Sequence, residues 1–402
     1  MVPVKIKRNI FKKLYKEIQA PEISILLGAR QVGKTTLLKQ IKTRAHRDGY
    51  KVCYFDLESS ADLARLSGND QDIVKTITSS GDVILIDEFH YLKNASKLFK
   101  EIYDANNKVK IYASGSSSLE IHRHLKESLA GRYRKTMIFP FSYEENKRTP
   151  HKMLNEYLKW GGMPGLVHRE TDAEKMALLE NIVNTYISKD IKALIKEENI
   201  RAFNSMLYYL AQNQGSLTVY ANIARDVGLA ESTIARYFEI MSQTYVCYII
   251  SSYSNNLANE LKKSKKNYLF DIGIRNTLLK DFRCANKRPD KGSLYETFVL
   301  LYLILLITPH REIKFWRTKK DVEVDFILVQ NRQPVPIEVK SNLNSTRIPA
   351  GLKSFIRAYP DTKIGFVINE TQEDKIQFLD TEIYFLPFEK IDKIEGLLEI
   401  LD

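Results

Sequence analysis

The sequence predicts an α/β protein built from two or three domains. Its 402 residues exceed what a single hydrophobic core usually supports. Up to about residue 150, short apolar runs alternate with helical patterns, which indicates a parallel sheet covered by helices on both faces. The segment 151–290 is mostly helical in pattern. From residue 291 the order becomes helix, three strands, helix and strand, so we expect domains at 1–150, 151–290 and 291–402.

Charge and composition indicate which kinds of binding partner and cellular compartment to expect. The net charge is +12, with 46 basic and 32 acidic residues before Lys291 and 15 basic and 17 acidic residues from Lys291 onwards. A basic body favours a polyanion such as DNA, and an evenly spread solubility charge is the alternative. The longest apolar run, 298–307, is too short to cross a bilayer, so no membrane association is expected. Three cysteines without CxxC spacing indicate neither a disulfide framework nor a zinc site, and favour the cytoplasm.

A phosphate-binding loop follows the first apolar run. Residues 23–27 form a strand-like run, and residues 28–36 then give the complete G-x-x-x-x-G-K-[ST] pattern before a helical stretch. Backbone N–H groups of such a loop surround phosphates, Lys34 reaches the β- and γ-phosphates, and the Thr35 hydroxyl binds magnesium. The residues predicted to bind the nucleotide here are Gly28, Ala29, Arg30, Gln31, Val32, Gly33, Lys34, Thr35 and Thr36. A nucleoside triphosphate and Mg²⁺ are the cofactors that this pattern predicts.

An acid pair ends a second strand-like run. Residues 82–86 are followed by Asp87 and Glu88. In a P-loop site the first acid holds magnesium and the second polarises the attacking water, so we assign these roles to Asp87 and Glu88. Further strands are expected at 51–57, 109–114 and 135–139.

Two features near the later strands have two interpretations each. Ser114 or Ser116 is placed to sense the γ-phosphate, or the serine cluster caps a following helix. Arg132 or Arg134 acts as an arginine finger, within the chain or from a neighbouring subunit, or is an ordinary surface arginine.

The middle region contains a helix-turn-helix pattern. Ala224 lies four residues before Gly228 and Ile234 lies six after it, which suits two crossing helices joined by a tight turn. Two β-rich stretches, 244–251 and 267–271, flank a lysine-rich segment, so a winged helix with a basic wing is expected. The residues predicted to contact DNA are Arg236, Lys262, Lys263, Lys265 and Lys266. Protein docking is the alternative use of such a module.

The C-terminal region places polar residues within its αβββαβ order. Asp325 lies on the second strand, whereas Glu338 and Lys340 are two apart on the third and share one face. This arrangement resembles the PD-(D/E)XK nucleases of restriction-endonuclease-like fold. The resemblance implies magnesium binding by Asp325 and Glu338, water activation by Lys340, and completion of the site by Glu296 from the first helix. A salt bridge on an exposed strand is the alternative for Glu338 and Lys340.

Taken together, these motifs resemble a known family over nearly the whole chain. Residues 28–36, 84–88, 114–116, 130–144 and 157–164 are similar to those of prokaryotic AAA-type ATPases that carry a C-terminal nuclease-like domain. The resemblance implies this domain architecture and ATP as the nucleotide. The motifs together favour an ATPase whose nucleotide state controls DNA engagement through the winged helix and the nuclease-like domain. A nucleotide-switched scaffold for protein partners or further copies of the chain, with a silent nuclease-like domain, is the alternative, and a motor that binds DNA without cutting it is a third.

Overall fold

Two compact units make up the chain. The computed structural model describes residues 6–105, 108–116, 129–149, 153–185, 200–254 and 265–401. The first unit contains the described residues of Met1–Phe141, Met163–His168 and Glu239–Val246. The second contains those of Ser142–Gly162, Arg169–Phe238 and Cys247–Asp402.

The first unit is built on a five-stranded parallel sheet. Its strands are β1 (Ile23–Gly28), β2 (Val52–Asp56), β3 (Val83–Asp87), β4 (Lys110–Ser116) and β5 (Tyr133–Met137). They lie in the order β2-β3-β4-β1-β5, and every pairing is parallel. The helices of this unit are α1 (Phe11–Lys16), α2 (Lys34–Arg47), α3 (Ser60–Arg65), α4 (Asp70–Ser79) and α5 (Ala95–Asp104). The predicted parallel sheet is therefore confirmed, with β5 starting two residues earlier than expected.

Apolar strand residues explain why this sheet forms. Every residue of β1 and β3 is buried, as is usual for parallel strands covered on both faces. The aliphatic side chains of β1, β3 and β4 pack with α4 and α5 in one core. Because parallel strands all end at the same edge, this core fixes the positions of the loops that follow β1, β3 and β4.

The second unit contains a nine-stranded mixed sheet. Its strands are β6 (Leu217–Thr218), β7 (Cys247–Ser252), β8 (Lys265–Leu269), β9 (Arg311–Arg317), β10 (Glu323–Gln330), β11 (Gln333–Lys340), β12 (Ile364–Asn369), β13 (Asp374–Phe378) and β14 (Thr381–Pro387). Their order is β13-β14-β12-β11-β10-β9-β7-β8-β6.

The helices of the second unit come before, between and after these strands along the chain. They are α6 (Tyr143–Asn146), α7 (Leu154–Trp160), α8 (Asp172–Ile182), α9 (Ile200–Gln212), α10 (Tyr220–Val227), α11 (Glu231–Gln243), α12 (Ile272–Leu279), α13 (Lys291–Leu305), α14 (Ala350–Ala358) and α15 (Lys393–Leu398). The last turn of α11 falls in the first unit. The helix, three strands, helix and strand expected after residue 291 are present as α13, β9–β11, α14 and β12.

A parallel pairing joins the middle of the chain to its C-terminal part. Ser251 and Ser252 of β7 lie beside Lys314 and Phe315 of β9. The hairpin of β7 and β8 therefore extends the sheet formed by the later strands, and the expected boundary near residue 290 falls inside one compact unit.

Helices α10 and α11 have the predicted helix-turn-helix spacing. Ala224 and Ile234 are buried, and Gly228 is the C-cap of α10. Strand β8 pairs antiparallel with β6 on one side and with β7 on the other.

A buried aspartate ties the turn after α7 to the start of α12. Asp271 Oδ2 accepts the Gly162 N–H at 2.7 Å, and its Oδ1 accepts the Ile274 N–H at 3.0 Å. Its side chain is buried. Since both oxygens are used by backbone donors, Asp271 satisfies one orphan donor of a helix start and one of a loop.

Removing this carboxylate should destabilise the second unit. D271A leaves two buried N–H groups unpaired, so we expect a free energy of unfolding lower by about 2 kcal/mol or more. Trp160 and Trp316 are the chain's two tryptophans and both lie in this unit. Urea unfolding followed by tryptophan fluorescence therefore reports on it directly.

The matched control is D361A, which removes an exposed aspartate of the same unit. It should change the free energy of unfolding by no more than about 0.5 kcal/mol. Equal unfolding curves for D271A and D361A would contradict the assigned role.

Candidate functional site

The phosphate-binding loop lies between β1 and α2. Gly33 precedes α2 with φ of 96°, a left-handed conformation that favours glycine. The Lys34 Nζ donates to the carbonyl oxygens of Gly28 at 3.0 Å and Ala29 at 2.9 Å. The loop therefore folds around the Lys34 side chain. It lies at the start of α2, where the N–H groups of the first helical turn attract anions.

Burial and nearby carboxylates set the charge state of this lysine. Lys34 is 4% exposed. Burial lowers the pKa of Lys34, whereas the carboxylates of Glu88 and Asp87 oppose that shift. A triphosphate would add negative charge and favour the ammonium form further.

The carboxylate of Asp87 is held by two hydroxyl groups. Tyr54 from β2 donates its hydroxyl to Oδ2 at 2.7 Å, and Ser114 from β4 donates to Oδ1. Burial raises the pKa of the Tyr54 hydroxyl, and its hydrogen bond to Asp87 raises that pKa further. The hydroxyl therefore stays protonated and donates to Asp87. Side chains from β2, β3 and β4 therefore meet at the Asp87 carboxylate.

At Glu88 the backbone turns away from the direction of β3. The backbone of this residue is left-handed, with φ of 51° and ψ of 49°, and its N–H reaches the Ser114 hydroxyl at 3.5 Å. The His90 Nδ1 lies 3.2 Å from Oε2 of Glu88. Burial, followed by the positive charges of Arg30 and Lys34, lowers the pKa of His90. A neutral imidazole therefore sits next to the predicted catalytic acid.

The remaining loop residues have different environments. Thr35 is half-buried and Thr36 exposed at the start of α2, whereas Ala29 and Val32 are buried. Arg30 is half-buried and Gln31 exposed. Ser116 is the last residue of β4. A hydroxyl at Thr35 and a carboxylate at Asp87 are oxygen ligands of the kind that Mg²⁺ prefers, so these residues fit that ion.

Arg132 does not reach the nucleotide loop of its own chain. Its Nε and Nη2 lie 2.6 and 3.2 Å from the two carboxylate oxygens of Asp104. Ile23 pairs with Tyr133, so Arg132 lies at the amino end of β1, about 16 Å of strand away from the loop. The prediction that it binds this nucleotide is wrong, because β5 runs parallel to β1 and begins at the far edge. Arg134 is likewise paired, with Glu22 at 3.0 Å, and a role towards a neighbouring subunit stays a prediction.

A cavity of about 280 Å³ opens beside the loop. It is lined by Ile6, Arg8, Gly33, Thr36, Leu37, Gln40, Phe141, Pro164, Val167 and His168. The Arg8 Nη1 donates to the Val32 carbonyl at 3.0 Å, and its guanidinium lies 4.9 Å from the Phe141 ring centroid. The wall is mostly apolar with a few polar groups, as expected of a small-molecule pocket.

The second candidate site lies on β10 and β11. The Val339 N–H donates to Asp325 Oδ2 at 2.8 Å, and the Lys340 Nζ donates to Glu338 Oε1 at 2.7 Å. Burial, followed by repulsion from Asp325, raises the pKa of Glu338. Burial also raises the pKa of Asp325, although Lys266 and the Val339 N–H oppose it. The structure therefore brings Asp325, Glu338 and Lys340 together, as predicted.

Glu296 joins this site from α13, and Lys266 joins it from β8. The Lys266 Nζ lies 3.1 Å from Glu296 Oε1 and 2.5 Å from Glu323 Oε1, and Tyr268 donates its hydroxyl to Glu296 Oε1 at 2.6 Å. Burial raises the pKa of Glu296, which Lys266 partly offsets. The prediction that Lys266 contacts DNA is wrong, because its side chain is 1% exposed and paired with two acids.

Two observations test whether these carboxylates fit a divalent cation. In the described part of the chain, Glu338 Oε2 is buried without a hydrogen-bond partner. Gly215, with φ of 79°, leaves room for the Glu296 carboxylate, since a Cβ there would lie 2.8 Å from Oε2. Within the described ranges, however, no group of three acids, histidines or cysteines is placed so that it could hold a metal ion. The oxygen ligands are of the kind that a divalent cation prefers, and the carboxylates would have to move closer together to share one.

The other predicted DNA contacts differ in exposure. Arg236 on α11 and Lys265 at the start of β8 are exposed. Lys262 and Lys263 lie outside the described residues. None of the helices that the structure describes combines the length and hydrophobicity needed to cross a bilayer.

Several contacts of the site are not predicted by the sequence. Tyr54, His90 and Tyr268 each lie against a predicted acid, and Glu323 pairs with Lys266. The sequence signals for two of them are proximity alone, since His90 follows Glu88 by two residues and Glu323 precedes Asp325 by two. Tyr54 and Tyr268 come from strands distant in sequence from the acids, so only the fold reveals their contacts.

The chain is similar to curated proteins over most of its length. An uncharacterised protein of Mycobacterium tuberculosis is 25% identical over 362 residues, covering 89% of this chain and 78% of the relative. Another, from Methanocaldococcus jannaschii, is 24% identical over 398 residues, covering 92% and 88%. Among solved structures, AMPPCP-bound DnaA from Aquifex aeolicus aligns with a TM-score of 0.32 at 14% identity, covering 58% of this chain and 86% of that one.

Three family models match consecutive parts of the chain. A domain of unknown function, DUF8612, matches residues 151–284, and a second, DUF4143, matches residues 291–391. The model described as "AAA domain" matches residues 20–147, the region that holds the five-stranded sheet and the phosphate-binding loop. Residues 20–147 of this chain are therefore similar to an AAA domain, which supports an AAA-type ATPase fold for the N-terminal part.

Proposed function

We propose that this chain hydrolyses ATP with Mg²⁺ at the loop between β1 and α2. The observation that carries the proposal is the meeting of Lys34, Asp87, Glu88 and Ser114 at one edge of the sheet. These residues come from three separate segments, and their roles match those that phosphoryl transfer requires.

Each residue has a role that follows from its position. The loop N–H groups and Lys34 would bind the phosphates, Thr35 and Asp87 would hold Mg²⁺, and Ser114 would orient Asp87. The bound Mg²⁺ supplies positive charge at the β- and γ-phosphate oxygens. Glu88 would accept a proton from the attacking water, and the adjacent His90 would orient the Glu88 carboxylate.

The cavity beside the loop is our candidate for the nucleobase. Gly33 and Leu37 line the side of the cavity that adjoins the phosphate-binding loop. Phe141 and Val167 provide apolar surface against which a flat ring could pack. Arg8 links this wall to the loop through the Val32 carbonyl. A purine base in this cavity would place its triphosphate at the start of α2.

Neutralising the proposed base should separate binding from hydrolysis. E88Q keeps the size of the side chain but removes its proton acceptor, so we expect ATP hydrolysis to fall by about 100-fold or more. Affinity for ATP with Mg²⁺ should change by less than about threefold, because Glu88 does not bind the phosphates. Phosphate release and calorimetric titration measure the two quantities.

E101Q is the matched control, since Glu101 is an exposed acid on α5. It should hydrolyse ATP at the rate of the unaltered protein. Hydrolysis by E88Q at that same rate would rule out Glu88 as the base.

For the second unit, we propose a winged helix that binds DNA and a PD-(D/E)XK nuclease-like domain. Support comes from the paired helices α10 and α11 followed by β7 and β8, and from the exposed Arg236 and Lys265. The clustering of Asp325, Glu338 and Lys340 on adjacent strands supports a Mg²⁺-dependent phosphodiester site.

Substitution of Glu338 tests the nuclease proposal. We expect the unaltered protein to cleave forked, single-stranded or junction DNA with Mg²⁺, and E338Q to lose that cleavage by at least about 100-fold. E395Q, at an exposed acid of α15, should cleave normally. Gel assays on the three DNA forms decide, and no cleavage of any form by the unaltered protein would contradict the proposal.

A nucleotide-switched scaffold, acting on protein partners or on further copies of the chain, is the second candidate. The observation that favours it is Lys266, which already supplies positive charge to Glu296 and Glu323. A site balanced in this way need not bind metal. ATP hydrolysis that does not respond to DNA would favour the scaffold.

A further inference from the structure

Lys266 occupies an unusual place for a strand lysine. Its side chain is 1% exposed, and its Nζ lies between Oε1 of Glu296 and Oε1 of Glu323. The neighbouring Lys265 is exposed. An ammonium group is buried this fully only when carboxylates compensate the loss of its hydration.

Two ammonium groups already occupy this carboxylate site. Glu296, Asp325 and Glu338 face the ammonium groups of Lys266 and Lys340. Glu323 also pairs with Arg317, whose Nη1 lies 2.7 Å from Glu323 Oε2 and whose Nη2 lies 2.9 Å from Asp321 Oδ1. A divalent cation at the three carboxylates would therefore compete with Lys266 and Lys340 for the same negative charge.

The hydrogen bonds of Glu296 also place a positive charge where the metal would bind. Glu296 Oε1 already accepts from the Lys266 ammonium and the Tyr268 hydroxyl. An ion bound by Glu296 and Asp325 would lie close to that ammonium, and two cations at such a distance in a buried site repel strongly.

We propose that the Lys266 ammonium is an internal counter-ion of this carboxylate site, and that a divalent cation binds there in competition with it. This inference rests on the metal site proposed above for the second unit. It adds that β8, which carries two of the lysines of the predicted wing, holds the group that controls metal binding. Binding of the metal then requires that the Lys266 ammonium move away from the carboxylates.

Metal affinity without DNA or nucleotide tests the proposal. The full chain is treated with EDTA and titrated with Mn²⁺, and free Mn²⁺ is followed by electron paramagnetic resonance. Binding that disappears in E338Q belongs to this site. K266M keeps the aliphatic stem but removes the charge, so we expect its Mn²⁺ dissociation constant to fall by about tenfold or more.

K363M is the matched control, at an exposed lysine of the same unit that has no role in either proposed site. Its Mn²⁺ dissociation constant should stay within about twofold of that of the unaltered protein. If Mn²⁺ binding depends on Glu338 but K266M and K363M have equal affinities, Lys266 is only a structural ion pair and this inference fails alone. If no variant shows Mn²⁺ binding that depends on Glu338, the proposed metal site fails with it.

A second measurement needs no substitution at Lys266, and applies even if K266M does not fold. Reductive methylation of the unaltered protein, read by mass spectrometry, reports which lysines react. Lys266 should be protected without metal and become more reactive at saturating Mn²⁺. Equal protection in both conditions would overturn the proposal.

Discussion

A buried lysine that is held by backbone carbonyls and faces an acid pair organises the first unit. The bonds from Lys34 to Gly28 and Ala29 fix the loop, and the carboxylates of Asp87 and Glu88 help to keep its ammonium charged. The parallel sheet makes this possible, because β1, β3 and β4 end at the same edge. The hydroxyl groups of Tyr54 and Ser114 then restrain Asp87, so the site is largely organised before any nucleotide binds.

In the second unit, lysine side chains and a backbone N–H group stabilise buried acids. The acids are buried near one another, and burial and mutual repulsion raise their pKa values. Lys266, Lys340 and the Val339 N–H group offset part of that cost. Because β7 pairs with β8 and β9, the strand that carries Lys266 belongs to the same sheet as Asp325 and Glu338. The proposed DNA-binding module and the proposed nuclease-like site therefore share one sheet, which gives a physical route for coupling them.

The sequence predicted the local features well and the long-range contacts poorly. The loop at 28–36 and the acids at 87 and 88 follow from short motifs, and the order of elements after residue 291 follows from periodicity. Lys266 was misassigned because a lysine in a basic segment is usually solvated, and only the sheet order shows that it faces Glu296. Arg132 was misassigned because its motif does not reveal at which end of β1 it lies.

Every role proposed for the first unit depends on binding of the ATP triphosphate by Lys34 and its loop. A calorimetric titration with Mg²⁺ and a non-hydrolysable ATP analogue measures that binding directly, comparing K34A with K39A, which alters an exposed lysine on the same helix. We expect K34A to weaken binding by at least about tenfold and K39A to bind like the unaltered protein. Equal dissociation constants for both variants, or no binding by the unaltered protein, would show that the loop does not bind the triphosphate.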